Sequence, residues 1–219
     1  MTDESRSPGT PVVPPNPDAD DLAVLQAVRL KGRLTRADLA ATVAESVADI
    51  TPVVARLAAA GLLVDGPAIR ISPDGRARLA ELLTAERETA DAAALAVVYD
   101  EFRSVNTDFK SVVTDWQLRD NQPNNHDDSD YDATVLARLD DVHRRVLPII
   151  TTVTVQLPRL AAYPRKLTAA LNRVKVGELA WLTRPLIDSY HTVWFELHEE
   201  LILAAGLTRE EAARSGDAG

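Results

Sequence analysis

The chain of 219 residues contains no cysteine. That removes disulfides, thiolate nucleophiles and cysteine-ligated metal sites together, and it suits a reducing cytoplasm, where this reading places the protein. No apolar run approaches the ~20 residues that cross a bilayer, so no membrane contact is expected. The opening MTDESRSPGT lacks a basic segment followed by an apolar one, so no secretory leader is expected. Internal repeats, a glycine-rich nucleotide cradle, a nucleophile elbow and a carboxylate pair of diagnostic spacing are also missing. The chain therefore reads as a non-enzyme, with no catalytic residue and no cofactor. A His-x-x-x-His pair is absent too. His191 and His198 are seven apart, about 10 Å along a helix, too far to share one ion. His126 beside Asp127, Asp128 and Asp130 sits in an Asn/Asp run that reads as a solvated loop, so no metal site is expected.

What is present suffices for a packed core: 46% of residues are hydrophobic and 26% charged. The net charge of −9 is uneven. Residues 20–90 carry nine basic and ten acidic side chains, whereas residues 91–219 carry fourteen and twenty. A near-neutral N-terminal part permits contact with nucleic acid without arguing for it, because such affinity comes largely from cations on phosphates.

Residues 1–18 hold five prolines and little apolar material, and read as a disordered tail. From Asp20 or Asp21, which could cap a helix, Leu22, Leu25, Val28 and Leu30 keep helical spacing up to Gly32. Thr35 is placed to cap a short helix carrying Leu39 and Val43. Asp49 or Thr51 is expected to cap a third, with Ile50, Val54 and Leu57 inward and Pro52 in the first turn. Gly61 supplies a left-handed stop. Two apolar runs joined by Asp65–Ala68 read as a short hairpin, and Ser72–Pro73 restarts a helix. The pattern then stays helical to about Leu118, as one long helix. Residues 119–132 read as a polar loop. Helical spacing returns over 132–177, punctuated by Pro148, Pro158 and Pro164, and a last helix is expected over 184–205, before Gly206.

The segments LTRADLA, VVARLAAAGLL and IRISPDGRARL, in that order, resemble the winged helix-turn-helix of multiple-antibiotic-resistance-type and related bacterial transcription regulators. The resemblance covers about residues 20–80. It implies a mainly α fold, with a winged helix-turn-helix domain at 19–80 that carries a short β-hairpin wing, a C-terminal helical bundle at 81–207 for dimerisation or effector sensing, and a tail at 208–219. It also implies a DNA-binding transcription regulator whose partner is double-stranded DNA. On that reading Thr51 and Arg56 would meet base edges, and Arg33, Arg36, Arg70 and Arg76 would meet phosphates. The long helix, with its stripe of Leu79, Leu82, Leu83, Ala93, Leu95 and Val98, would need a second copy to cover it, so a homodimer is expected.

The third helix argues for an alternative. Its outward positions include Ala48, Asp49, Pro52 and Ala55, a poor set for reading bases and a better one for touching protein. The segment RPLIDSYHTVWFELHEEL is similar, more weakly, to regions accompanying pyruvate phosphate dikinase-like enzymes. That similarity implies a protein-interaction module serving a phosphoenolpyruvate- or pyruvate-utilising enzyme, and transfers no residue role. In the C-terminal half, Trp116, Arg119, Arg184, His191 and His198 are candidates for a pocket holding a small anionic effector, since guanidinium groups grip carboxylates and phosphates. The competing expectation is local pairing, Arg184 with Asp188 and Arg119 with Asp115. Asp140, His143 and Arg144 share one helical face and read as a salt-bridged surface.

Overall fold

The computed structural model describes residues 17–214; of the expected tail at 1–18, Pro17 and Asp18 belong to a helix and the rest lies outside the described residues, as do the last five residues. The described chain is mostly helical, with two small two-stranded antiparallel sheets. The order is α1 (Pro17–Lys31), α2 (Arg36–Val43), α3 (Val47–Ala59), β1 (Leu63–Val64), β2 (Arg70–Ile71), α4 (Pro73–Thr89), α5 (Ala92–Gln117), β3 (Leu118–Arg119), β4 (Gln122–Pro123) and α6 (Ser129–Gln156). A 3-10 turn at Pro158–Ala162 leads into α7 (Tyr163–Lys175), α8 (Ala180–Thr183), α9 (Tyr190–Ala204) and α10 (Arg209–Arg214). Among the described residues no helix is long and apolar enough to cross a membrane.

Local chemistry sets most of these boundaries. Thr35, Ser46 and Ser72 each accept a hydrogen bond from the backbone N–H three residues on, the capping geometry that serine and threonine favour. The third helix therefore starts at Ser46, earlier than the expected Asp49 or Thr51, and Asp49 accepts the Ser46 hydroxyl at 2.5 Å. Pro52 consequently sits in the second turn and withholds a hydrogen bond from the Ala48 carbonyl, on a face open to water. Likewise α1 begins at Pro17, a turn ahead of the expected Asp20 or Asp21, and leaves Asp21 buried for another use.

Three further elements differ from expectation. The long helix is broken at Ala90–Asp91 without glycine or proline, because Asp91 caps a new helix by accepting from Ala93 and Ala94 N–H. The polar loop contains a tight hairpin, in which Asp120 and Asn121 both adopt positive φ (51° and 60°), the conformation such turns require and these side chains tolerate. The expected tail contains α10, opened by a capping box in which Thr208 Oγ1 accepts from Glu211 N–H and Glu211 accepts from Thr208 N–H. Residues 184–189, expected in the last helix, precede it, and Ser189 caps α9. Pro148 does not interrupt α6, although it has no N–H to offer the Arg144 carbonyl one turn back.

Two hydrophobic cores result. The first gathers α1–α4 and the β1–β2 hairpin around Leu25, Val28, Leu39, Val54, Leu57 and Ile69. The second gathers α5–α7, α9 and α10 around Phe102, Phe109, Leu139, Ile150, Tyr190 and Trp194. Helices α5 and α6 run antiparallel, as the ion pairs Asp108–Arg145 (2.6 Å) and Asp115–Arg138 (2.5 Å) show. The stripe that called for a second copy is largely covered inside the chain: Leu79, Leu82 and Leu83 belong to the first core, Leu95 and Val98 to the second, and Ala93 is exposed.

Gly75 fixes how α4 meets the hairpin. A Cβ there would lie 2.0 Å from the Leu62 carbonyl oxygen, itself the acceptor of the Ser72 N–H (3.1 Å). Gly75→Ala is expected to cost about 1–3 kcal/mol, the usual penalty of overpacking. A urea titration of the variant checks this, and an unchanged midpoint contradicts it.

Candidate functional site

Leu34 forms an isolated antiparallel bridge with Ile69, just before β2, through reciprocal backbone hydrogen bonds, Leu34 N–H to Ile69 O (3.2 Å) and Ile69 N–H to Leu34 O (2.7 Å). Leu34 and Ile69 point into the first core (6% and 0% exposed). The residues next to this bridge, Arg33 before Leu34 and Arg70 after Ile69, are exposed, whereas Leu34 and Ile69 are buried. Among the described residues neither arginine has an ion-pair partner; the same holds for Arg76, also exposed, in the first turn of α4.

The other expected DNA-contacting residues are engaged elsewhere. Arg36 is paired with Asp65 on the hairpin turn. The Thr51 hydroxyl donates to the Val47 carbonyl (2.6 Å). Arg56 grips the buried Asp21 carboxylate through both terminal nitrogens, at 2.7 and 2.8 Å. What α3 presents to solvent is Val47, Ala48, Asp49, Thr51, Pro52, Ala55, Arg56 and Ala59, with the Arg56 guanidinium held by Asp21.

A buried polar network joins the two cores. Arg159, on the 3-10 turn, makes paired hydrogen bonds to Glu86 of α4 (2.9 Å each) and a third to Glu200 of α9 (2.6 Å). Burial disfavours its charge, but Glu200 and Glu86 outweigh that and hold its pKa above the ordinary arginine value. Glu200 also accepts from the Gln26 amide (2.9 Å), and the Gln26 carbonyl oxygen accepts from Arg29 (2.9 Å). Lys31, at the end of α1, pairs with Glu196 of α9 (2.6 Å) and with Asp188. Burial pushes the Glu196 carboxyl upward, and Lys31 offsets this only in part. These contacts hold α1 and α4 against α9.

The five proposed effector residues do not converge. Trp116 is buried against His126, with ring centroids 4.4 Å apart. Arg119 pairs with Asp128 (2.8 Å) and lies over the Tyr131 ring. Arg184 is exposed after α8, while His191 lies beside Phe109 and His198 is buried beside Phe102. Phe102, Phe109 and Trp116 succeed each other at seven-residue steps on α5, about 10 Å each. The buried His198, the exposed His191 and Trp116 thus lie at three levels along α5 and are not brought together at one anion site. The alternative local pairs do not form either: Asp115 pairs with Arg138 and Asp188 with Lys31. Nor is the 140–144 face a single salt-bridged surface. Asp140 pairs with Lys175, Arg144 pairs with Asp141, and His143 turns inward to Tyr190 Oη (3.2 Å) and Thr168 Oγ1 (3.3 Å).

Burial, reinforced by Lys175, lowers the His143 pKa. The unfolded chain then takes up a proton that the folded chain resists, so stability falls as pH drops through the ordinary histidine value of about 6.5. The melting temperature is expected to decline between pH 7.5 and pH 5.5 more steeply for the native chain than for His143→Gln. Equal slopes contradict this.

Comparison of the chain with protein-family models, curated proteins and solved structures finds no match.

Proposed function

We propose that residues 17–89 form a winged helix that binds duplex DNA mainly through its phosphates, within a transcription regulator whose C-terminal helices form a supporting bundle. The observation that carries this reading is Arg33 and Arg70, exposed next to the Leu34–Ile69 bridge and without an ion-pair partner among the described residues. Exposed arginines beside a small hairpin suit a phosphate backbone, and Arg76 adds a third cation. With Arg56 committed to Asp21, base readout is thin and sequence preference modest.

Fluorescence anisotropy with a labelled duplex over a salt series tests the reading. Three phosphate contacts give a slope of about −3 in log affinity against log salt, and Arg33→Ala/Arg70→Ala should lower its magnitude by about 2. A variant with the native slope contradicts the assignment. A second reading, protein docking, is favoured by the Val47, Ala48, Pro52, Ala55 and Ala59 face of α3. Salt-independent, negligible binding to DNA would support it.

A further inference from the structure

A cleft of about 650 Å³ separates α1 and the α2–α3 turn from α7. That is within the size range of small-molecule sites. Its two walls carry opposite charge. Asp20, Glu45 and Asp49 line the side built by α1 and the start of α3, and Arg165 and Lys166 line the side built by α7. Among the described residues, no ion pair joins any of these five to another charged group. This contrasts with the floor, where Glu196 and Glu200 are already taken by Lys31 and Arg159. Between the charged walls lie apolar, partly covered side chains, among them Ala23, Leu30, Val43 and Val53.

Lys166 is the informative group. It is half-buried, and its contact within the chain is the face of the Tyr163 ring, 5.5 Å from its nitrogen. Burial lowers its pKa below the ordinary lysine value. The ammonium has lost water, and the Glu196, Asp188 and Glu200 carboxylates, none of them paired with it directly, offset that only in part, so an incoming anion would relieve the remaining cost. A polyanion would suffer from the acidic wall opposite. A molecule with a positive end and a negative end would meet a complementary charge on each side.

We propose that this cleft binds a small dipolar molecule, an amine and a carboxylate joined by an apolar chain, with the carboxylate on Lys166 and the ammonium on the Asp20–Glu45 wall. Such an occupant would tie the start of α3 to α7. The assignment rests on the cleft alone and is independent of whether the protein binds DNA.

Isothermal titration of the full chain with three isosteric probes tests it: ε-aminocaproate, caproate and hexylamine. The dipolar probe should bind at one site, at least about tenfold more tightly than either singly charged one, because each charged hydrogen bond lost costs about that factor or more. Lys166→Met should reduce ε-aminocaproate to the affinity of hexylamine. Asp20→Asn/Glu45→Gln, both at exposed positions, should reduce it to that of caproate, whereas Lys175→Met, outside the cleft, should change nothing. Circular dichroism establishes that each variant is folded, and the Asp20/Glu45 variant keeps the test valid if Lys166→Met fails to fold. The proposal is overturned if the three probes bind alike, if ω-amino acids of shorter, equal and longer chain all fail to saturate, or if the folded cleft variants bind as the native chain does.

Discussion

Arg159→Met is expected to destabilise the protein by about 3–5 kcal/mol, the cost of stranding buried charge by removing one partner. Arg159 is 12% exposed, and its acidic partners Glu86 and Glu200 are 18% and 3% exposed. Its guanidinium presents a planar fork that matches the Glu86 carboxylate with two parallel hydrogen bonds while a third reaches Glu200. Lysine has a single ammonium and cannot reproduce that fork, so Arg159→Lys should recover only part of the loss. The decisive companion is the triple variant Glu86→Leu/Arg159→Met/Glu200→Leu. Burying no charge at all, it should regain most of the lost stability, because a well-packed apolar cluster can replace a buried ionic one at little cost. Urea unfolding followed by circular dichroism measures all three. A loss below about 1 kcal/mol for Arg159→Met would show that water reaches the network and screens it.

Trp194→Ala should be comparably severe, at about 3–5 kcal/mol, for a different reason. Trp194 is 2% exposed and sits between Phe102, Phe109 and Tyr190, with ring centroids 5.3, 4.3 and 6.0 Å away. These rings join α5 to α9, and truncation opens a cavity between the two helices. The indole N–H also donates to Asn106 Oδ1 at 2.9 Å in a buried setting. Asn106→Leu keeps the bulk but orphans that donor, so it should cost about 1–3 kcal/mol. In a double-mutant cycle the two effects should fall short of additivity, since both remove the same hydrogen bond. Strict additivity would place the energy in packing alone.

Local signals carried much of the secondary structure. Thr35, Ser72, Pro73, Gly61 and Gly206 mark their boundaries as caps and stops should. The inward faces of α1 to α3 follow from apolar spacing: Leu25, Val28, Leu39, Ile50, Val54 and Leu57 are all buried. The missed boundaries had local signals too. Ser46-x-x-Asp49 and Thr208-x-x-Glu211 are capping patterns, and Asp120–Asn121 is a turn pair. The Ala90–Asp91 break was harder to see, because alanine on either side of Asp91 sustains a helical reading.

The tertiary chemistry was not legible at all. Arg159 and Glu86 are 73 residues apart, and Gln26 and Glu200 are 174 apart. No spacing rule pairs them, and each alone reads as an exposed polar residue on its own helix. The expected effector residues erred in the opposite direction. Trp116 and His198 share no cavity because they lie two seven-residue steps apart along α5, Trp116 against His126 and His198 against Phe102. Grouping polar and aromatic residues by helical face found a stripe, but it could not say that α9 is buried nearly all round, with Glu196, His198 and Glu200 inside. Arg33 and Arg70 were named singly as phosphate contacts; that both neighbour one bridge, Leu34–Ile69, is supplied only by the fold.

The central claim is that the N-terminal region holds duplex DNA by its phosphates. The most direct measurement is the affinity of the native chain for its own upstream DNA and for a shuffled duplex, each over a salt series from about 50 to 200 mM. The expected result is a steep slope, close to −3 per chain, shared by both duplexes, with less than about a tenfold preference between them. Binding that is weak and insensitive to salt on both duplexes would contradict it.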